Sequence, residues 1–363
     1  MLSPGREHES CSPSIATKLC SVYKYFFILI SIGLLATGLS SCKNDPAPAA
    51  NATDQTDPQV AKLTVQLAKD PDNDSLLYRR ASVYYQLEGY DEALADVSKA
   101  LQLDSMQPMY YHLLADVMLD YGRPNDSRRA IAVLKRATEK FPDRIPTWLK
   151  LSEFQLIVKQ HNDALASISQ VLQRNPQSAD AFFMTGRVAL DMGDTSRAIK
   201  ALQRTVQYDA SIGDAWMFLG RIFYDRNDLQ AIQYFDNALR VDSTNLEARE
   251  FKGAFYKRRG EYEPAFKIYR DIIARNPDYS NAYFDMGMMY LTQDSLPKAY
   301  DHFNIAIKTD PLFVNAYYFR GVTSEEMGNN AAALGDYRQA NKMSPNYPEA
   351  KEARARLEKM EKK

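Results

Sequence analysis

Small and large apolar residues recur together along this chain with a period near 34 residues. An alanine returns at spacings of 37, 34, 34, 33, 34, 34 and 34 residues, and a second small residue lies up to fifteen positions before each alanine. A fixed period of this length predicts a stack of two-helix repeats in which neighbours complete each other's core. The alanines are Ala93, Ala130, Ala164, Ala198, Ala231, Ala265, Ala299 and Ala333, and the second small residues are Ala81, Ala115, Ser152, Gly186, Gly220, Gly253, Gly287 and Gly321.

Each repeat is predicted to place the second small residue on a first helix and the alanine on a second helix, so that the two backbones approach closely. A large residue, usually aromatic, precedes the small one by three or four positions, and we expect it to fill the space that the small residues leave. Proline ends many of the second helices because it cannot continue the hydrogen-bond ladder. The large residues are Leu77, Tyr111, Trp148, Phe182, Trp216, Tyr283 and Tyr317, and the prolines are Pro142, Pro176, Pro277, Pro311 and Pro345.

This pattern resembles the tetratricopeptide repeat family. Residues 180–186 (DAFFMTG), residues 214–220 (DAWMFLG) and the stretch 281–311 carry the likeness, which covers about residues 74–345. The resemblance implies an all-α fold, a right-handed α-solenoid of about eight helix-turn-helix repeats with a capping helix at each end. We expect the array at 74–347, with repeats at 74–107, 108–144, 145–178, 179–212, 213–245, 246–279, 280–313 and 314–347.

Three departures from the repeat pattern are visible. Residues 122–127 contain three extra positions, and one residue is missing near 227–229; we expect both changes in turns, where length varies most freely. Arg249 stands where the sixth repeat should carry its aromatic residue.

Capping helices are expected at both ends of the array. The first falls in residues 59–73, before the first repeat, and the second in residues 348–363. In the second, Ala350, Ala353, Leu357 and Met360 follow helical spacing and should form one buried stripe in a charged segment.

The first 41 residues are predicted to be a secretory leader of the lipoprotein type. Its apolar run, 26–39, is shorter than the roughly twenty residues that span a bilayer as a helix. The run closes on Leu-Ser-Ser-Cys, which is similar to the bacterial lipobox, so Cys42 is the candidate site of lipidation. Ordinary secretion with an incidental Cys42 is the alternative.

A lipidated Cys42 would hold the protein on a membrane through residues 42–58, which form a tether without a core of its own. Its residues after the cysteine would reach about 20 Å. In lipoprotein sorting an aspartate after the cysteine favours the inner membrane, and Lys43 stands there instead. By this analogy we expect a bacterial envelope protein of the outer membrane.

The sequence does not indicate an enzyme, a cofactor or a nucleic-acid partner. The formal net charge is −1, so bulk attraction to nucleic acid is not indicated. Phosphate-binding glycine loops and nucleophile elbows are absent from the sequence. The four histidines, His8, His112, His161 and His302, are scattered and show no metal-ligand spacing.

In the family, first helices line a concave groove that binds a peptide or a partner helix. The corresponding positions give an apolar, aromatic-rich groove, interrupted by Glu250 and Lys257 in the sixth repeat. Each of these side chains has two possible roles, contact with a partner or packing between neighbouring helices. The candidate groove residues are Tyr78, Tyr85, Phe183, Arg187, Met217, Arg221, Tyr224, Phe284 and Tyr318.

Arg187 and Arg221 occupy the same position in adjacent repeats. Each is followed four residues later by an aspartate, Asp191 or Asp225, so helical ion pairs are one explanation. A joint grip on a partner carboxylate is the other. The chaperone-tail clamp of the family is not matched, since Tyr78, Ser82 and Leu113 stand at its positions.

The resemblance therefore implies a non-enzymatic, membrane-tethered scaffold or adaptor with protein partners, in cell-envelope assembly. Two alternatives stay open. One is an outer-membrane solute-binding lipoprotein, which usually carries a large insertion between repeats. The other is an accessory regulator of a peptidoglycan enzyme.

Overall fold

The computed structural model describes residues 57–360, and its regular structure there is helical throughout, which confirms the all-α solenoid. Short turns join the helices into pairs, each with a helix A followed by a helix B. The helices are α1 (Pro58–Lys69), α2 (Asp74–Gln86), α3 (Tyr90–Leu103), α4 (Pro108–Tyr121), α5 (Asp126–Lys140), α6 (Ile145–Ile157), α7 (His161–Arg174), α8 (Ala179–Asp191), α9 (Thr195–Tyr208), α10 (Gly213–Asp225), α11 (Gln230–Val241), α12 (Leu246–Arg258), α13 (Tyr262–Arg275), α14 (Ser280–Thr292), α15 (Leu296–Thr309), α16 (Val314–Glu326), α17 (Asn330–Met343) and α18 (Pro348–Met360).

Two compact units divide the chain after Val158. The described part of unit 1, residues 57–158, contains α1–α6; unit 2, in its described residues 159–360, contains α7–α18. The leader, Cys42, nearly all of the tether and the last three residues of the predicted C-terminal helix lie outside the described residues. The predicted capping segments contain α1 and α18.

Every turn from helix A to helix B contains a residue in the left-handed region of backbone space. It lies seven positions after the small residue of helix A, and φ there is between 54° and 80°. This residue is Gly193 in the fourth repeat, Glu88 in the first and Lys159 in the third. Because a side chain clashes with the following carbonyl at positive φ, Glu88 and Lys159 hold strain that Gly193 avoids.

Relieving this strain should stabilise unit 1. Glu88→Gly is expected to raise its free energy of unfolding by about 1 kcal/mol, and Gly193→Ala to lower that of unit 2 by a similar amount. Urea titrations followed by circular dichroism measure both changes. Glu88→Ala is the control, since it shortens the side chain but keeps a Cβ; a gain as large as that of Glu88→Gly would contradict the backbone explanation.

The core of each repeat lies where helix A meets helix B. The eight periodic alanines of helix B are all fully buried. The expectation that the aromatic residue of helix A fills the space beside the small residue is wrong. A side chain of helix B, four positions after the alanine, occupies it: a Cβ on Gly220 would lie 2.5 Å from the Phe235 ring, and one on Gly287 would lie 2.7 Å from the Phe303 ring.

The two facing positions are complementary in size. Phenylalanine or tyrosine stands on helix B only where helix A has glycine, as in Gly220 with Phe235, whereas Ala115 is matched by Leu134 at the equivalent positions. Seven repeats lie entirely within one unit, and in each of them the residue at this helix B position is at most 1% exposed. These residues are Val97, Leu134, Leu202, Phe235, Tyr269, Phe303 and Tyr337.

The large residue that precedes the small one holds the loop between repeats. In three repeats its polar end donates a hydrogen bond to the carbonyl oxygen six positions earlier. The donors are Tyr111 Oη to Ser105 (3.2 Å), Trp148 Nε1 to Pro142 (2.7 Å) and Trp216 Nε1 to Ala210 (2.9 Å).

Arg249 makes the same contact in the sixth repeat. Its side chain is 8% exposed, and its guanidinium donates to the carbonyl of Ser243, again six positions earlier. Asp271 accepts from Arg249 Nε at 2.9 Å. The arginine therefore replaces the aromatic residue without loss of the loop contact, because its planar group is also a donor at the end of a long side chain.

The irregular spacings fall in turns, as the sequence predicts. The extra residues lie between α4 and α5, where Gly122 and Asn125 are both left-handed. The deletion near residues 227–229 lies in the turn between α10 and α11, and α11 begins one position before Ala231, whereas α9 begins three positions before Ala198.

The buried stripe of α18 is shorter than expected. Ala350, Ala353 and Leu357 are buried, but Met360 is 58% exposed, so its predicted place in the stripe is wrong. The final turn of the described helix has no further helix to cover it within residues 57–360.

A buried ion pair joins helix A to helix B in the first and the last repeat. Arg80 contacts Asp96 through two hydrogen bonds of 2.6 and 2.8 Å, and Arg320 contacts Asp336 through two of 2.9 and 2.6 Å. Each arginine also reaches the preceding helix B or cap: Arg80 donates to Thr64 and Arg320 to Asn304. Bidentate geometry of this kind fixes the relative position of three helices.

Candidate functional site

The candidate groove residues share one face of the helices A, here called the helix-A face. It consists of the positions three before, one after and four after the small residue. On this face the structure places candidate residues in both units, and all but one are half-buried. The exception is Met217, which is 5% exposed and packs in the core of unit 2, so its side chain is not presented at the surface.

In unit 1 the candidate residues are tyrosines engaged with the next repeat. The rings of Tyr78 and Tyr110 lie 5.0 Å apart. Tyr85 donates a hydrogen bond to Asp120, and burial together with this carboxylate raises the pKa of the phenol. Both tyrosines therefore pack between helices A and keep one half-buried edge on the face.

In unit 2, phenylalanine and tyrosine rings form a row along the helix-A face. Phe183 lies 6.0 Å from Phe218, and Phe284 contacts three rings, with Phe313 nearest at 4.9 Å. Tyr318 lies 5.1 Å from Tyr347. Contacts between neighbouring helices thus bury much of the surface of each ring.

Three arginines lie over aromatic rings on successive repeats of unit 2. The guanidinium of Arg187 is 6.0 Å from the Phe183 ring centre, that of Arg221 is 5.6 Å from Phe251, and that of Arg258 is 4.0 Å from Tyr224. Cation–π contact helps to orient each guanidinium, and Arg258 also donates a hydrogen bond to the carbonyl oxygen of Tyr224. Arg258 was missed by the sequence analysis because it stands one position beyond the family's groove positions used there.

The predicted helical ion pair of Arg221 with Asp225 is replaced by a contact across repeats. Arg221 Nη1 lies 3.8 Å from Glu247 on α12, a long separation for an ion pair. Asp191 accepts from His161 Nε2 at 2.5 Å. Since a long, half-exposed pair is weak, Arg221 can exchange Glu247 for a carboxylate of a partner at small cost.

The charges that interrupt the face in the sixth repeat belong to a polar network. Tyr279 donates to Glu250 (2.7 Å), while Asp285 accepts from Lys257 (2.5 Å) and from Tyr269 (2.6 Å). Burial raises the pKa of Glu250, against the effect of the Tyr279 hydrogen bond. Sequence spacing could not identify Tyr269, Tyr279 and Asp285, because they come from three different helices or loops.

A second polar cluster lies on the helix-A face of unit 1. Lys150 Nζ lies 2.7 Å from Asp116, and His112 Nε2 lies 3.0 Å from Thr147 Oγ1. Burial, with the charges of Lys150 and Arg144, lowers the pKa of His112 to about 4.

Unit 1 should lose stability on mild acidification. Between pH 6.5 and about 4, His112 binds a proton in the unfolded state but not in the folded state. Its contribution to the free energy of unfolding is therefore fully present above pH 6.5 and is lost as the pH falls towards 4. The free energy of unfolding should therefore drop from pH 7 to pH 5 in the wild type, and less steeply in His112→Gln. Urea titrations at both pH values measure the two slopes; equal slopes would contradict this assignment.

The other two histidines of residues 57–360, His161 and His302, have ordinary partners. His302 Nδ1 lies 2.9 Å from the carbonyl oxygen of Lys298. Within residues 57–360, three or more His, Cys, Asp or Glu side chains never gather as metal ligands would. In the same stretch, each helix is too short or too polar to span a bilayer.

Comparison with known proteins agrees with this geometry. Two family models described as tetratricopeptide repeat match the chain, one at residues 183–240 and the other at 74–105 and 314–347. The human protein named Tetratricopeptide repeat protein 6 is 35% identical over 118 residues, which is 32% of this chain and 23% of that protein. Hsp70-Hsp90 organizing protein 3 of Arabidopsis thaliana is 22% identical over 290 residues, covering 80% of this chain and 40% of its own length.

A solved structure shares the fold. The C-terminal part of a repeat-containing protein from Cytophaga hutchinsonii superposes with a TM-score of 0.57 at 17% identity, over 68% of this chain and 99% of that one. The chain spans less than half the length of the two curated relatives named above.

Proposed function

The chain belongs to the tetratricopeptide repeat family, and on this premise we propose that it is a membrane-tethered, non-enzymatic scaffold of the bacterial cell envelope. The repeats themselves indicate a scaffold for protein–protein interaction. The finer proposal adds the place, an envelope membrane reached through lipidated Cys42, and the surface, the helix-A face of unit 2.

The row of arginines over aromatic rings carries this proposal. Arg187 and Arg221 on the helix-A face, and Arg258 one position beyond it, lie over half-buried rings on three successive repeats. Aromatic residues and arginine are enriched where proteins bind proteins, because they bury large areas and donate directional hydrogen bonds. A protein segment that offers carboxylates or free carbonyl oxygens fits this row.

The binding part of the proposal is tested by crosslinking on intact membranes. Arg221→Ala with Tyr224→Ala removes one guanidinium and the ring under Arg258. We expect partner proteins that co-purify with the wild type to fall at least tenfold, as truncation of interface anchors usually costs 2 kcal/mol or more (about 30-fold). Arg240→Ala is the matched control, since Arg240 lies on a helix B, away from the helix-A face, and donates a hydrogen bond to Asn237 on the same exposed surface.

Two outcomes would overturn this function. One is an unchanged set of partners in the double variant. The other is tight sugar binding by a protein that captures no partner, which would favour a solute-binding lipoprotein.

The tether has its own test. Cys42→Ala should move the protein from the membrane fraction to the soluble fraction almost completely, because acyl chains contribute about 0.8 kcal/mol per buried CH₂ and two chains anchor stably. Cell fractionation and metabolic labelling with an alkyne fatty acid measure this change. Cys20→Ala, in the predicted leader, is the control and should leave both readouts unchanged; persistent membrane association of Cys42→Ala would contradict lipidation.

A further inference from the structure

A positively charged stripe lies along α9, away from the helix-A face. Arg197, Lys200 and Arg204 follow one another at helical spacing on the exposed surface of this helix. They border an open groove of about 440 Å³ whose lining also includes Phe182 and Thr185 of α8 and contains no acidic residue.

The three cations of this stripe have no carboxylate partner. None of them makes an ion pair with any residue in the described part of the chain, whereas Lys252, for example, contacts Asp236 at 2.5 Å on the neighbouring helices. The chain as a whole has a formal net charge of −1, so the stripe is a local concentration of positive charge. An unneutralised stripe of this kind attracts anionic groups.

Within unit 2, the stripe is specific to α9. In the other helices B of unit 2, the positions one before, two after and six after the alanine never hold more than one cation. On α13 they are Pro264, Lys267 and Asp271, so a carboxylate accompanies the single lysine. Repeat packing alone therefore does not require three cations here.

One of the cations is already oriented by the fold. The guanidinium of Arg204 lies 5.2 Å from the centre of the Phe182 ring, and Phe182 stacks on Tyr208 at 5.6 Å. A side chain held in this way loses less conformational entropy when it binds a ligand. Gln203 and Gln207, which also line the groove, can both donate to and accept from peptide groups.

From these observations we propose that the α9 groove docks an acidic, extended segment of a partner protein. The stripe is about 10 Å long at 1.5 Å per helical residue, which matches three to four residues of an extended chain with two or three carboxylates. The lining residues Gln203 and Gln207 offer hydrogen-bond partners for the backbone of a single peptide strand beside the three cations. This surface is separate from the helix-A face and gives the scaffold a second docking site.

Binding of a short acidic peptide tests the proposal. A fluorescein-labelled Glu-Asp-Glu-Asp-Glu peptide is titrated with the protein, and fluorescence anisotropy is measured at 20 and 150 mM NaCl. Wild-type protein should bind with an affinity that falls as salt rises. Lys200→Gln with Arg204→Gln should weaken binding at least tenfold at low salt.

The matched control lies on α13. Arg270 sits 5.5 Å from the Phe266 ring centre, as Arg204 does from Phe182, but its helix also carries Glu263 and Asp271. Lys267→Gln with Arg270→Gln removes the same charge and should keep the wild-type affinity. Equal loss in both double variants would show a general charge effect and overturn the proposal.

A charge-reversal variant keeps the test valid if the glutamine variant folds poorly. Lys200→Glu with Arg204→Glu should lose the acidic peptide and gain a Lys-Arg-Lys-Arg-Lys peptide. Wild-type binding to phosphatidylglycerol vesicles that depends on Lys200 and Arg204, without binding to the acidic peptide, would overturn the proposal in favour of a lipid surface. Absence of peptide binding by the wild type at 20 mM NaCl would overturn it as well.

Discussion

Replacing Phe235 by alanine is expected to lower the free energy of unfolding of unit 2 by about 3–5 kcal/mol. The Phe235 ring is fully buried and fills the space beside Gly220, so its removal leaves a cavity between α10 and α11. Because two helices share the cavity, the backbone cannot collapse into it without breaking the contacts of the next repeat. Urea titration of the whole protein measures the loss, and hydrogen exchange in α10 and α11 locates it.

The same contact can be tested from the opposite side. Gly220→Ala should cost about 1–3 kcal/mol, since the new Cβ meets the ring at 2.5 Å and the ring has nowhere to move. Gly220→Ala combined with Phe235→Leu should recover most of this loss, because Ala115 and Leu134 already form that combination in the second repeat. If the double variant were as unstable as the sum of the two single variants, size complementarity would not explain the pairing.

Removal of Asp336 is expected to destabilise the last repeat by about 3–5 kcal/mol. The side chains of Arg320 and Asp336 are 17% and 10% exposed, and Asp336→Ala leaves a largely buried guanidinium whose remaining hydrogen-bond partner within residues 57–360 is Asn304. The guanidinium of Arg320 stays charged in this variant because an arginine side chain cannot be deprotonated in proteins, so it cannot avoid this cost by losing a proton. Hydrogen exchange of residues 314–360 during urea unfolding measures the effect.

Two controls separate the buried pair from surface charge. Arg338→Ala breaks an exposed pair between α17 and Glu358 of α18 and should cost at most about 1 kcal/mol. Arg320→Met with Asp336→Leu removes both buried charges and should stay close to the wild type, since burying two charges offsets much of their attraction. A double variant as unstable as Asp336→Ala would show that the attraction between the two charges exceeds the cost of burying them, so that the ion pair stabilises the repeat.

The helix-A face could be located from the sequence, but the role of each residue on it could not. Met217 and Phe284 occupy the same repeat position, yet Met217 is buried and Phe284 is half-buried among three rings. The difference arises from neighbours that come from adjacent repeats, which a period does not specify. The hydrogen bond of Glu250 with Tyr279 escaped prediction for the same reason.

The substitution at Arg249 shows where residue type alone misleads. Its position predicts an aromatic residue, and an arginine there suggests weakened packing. The structure shows a guanidinium that reaches the same loop carbonyl as the indole of Trp148 or Trp216. What the position requires is a long side chain with a donor at its end, and both residue types supply it.

The 34-residue period by itself determined the helix pairs, their order and the places where length can change, because helical spacing and the need to bury small residues are local properties of the chain. It also marked the helix-A face. Only the tertiary structure decided which ring fills the space beside each glycine, which carboxylate each arginine contacts and which cations on α9 are left without a partner. These depend on side chains brought together from separate helices, at distances set by how the repeats pack.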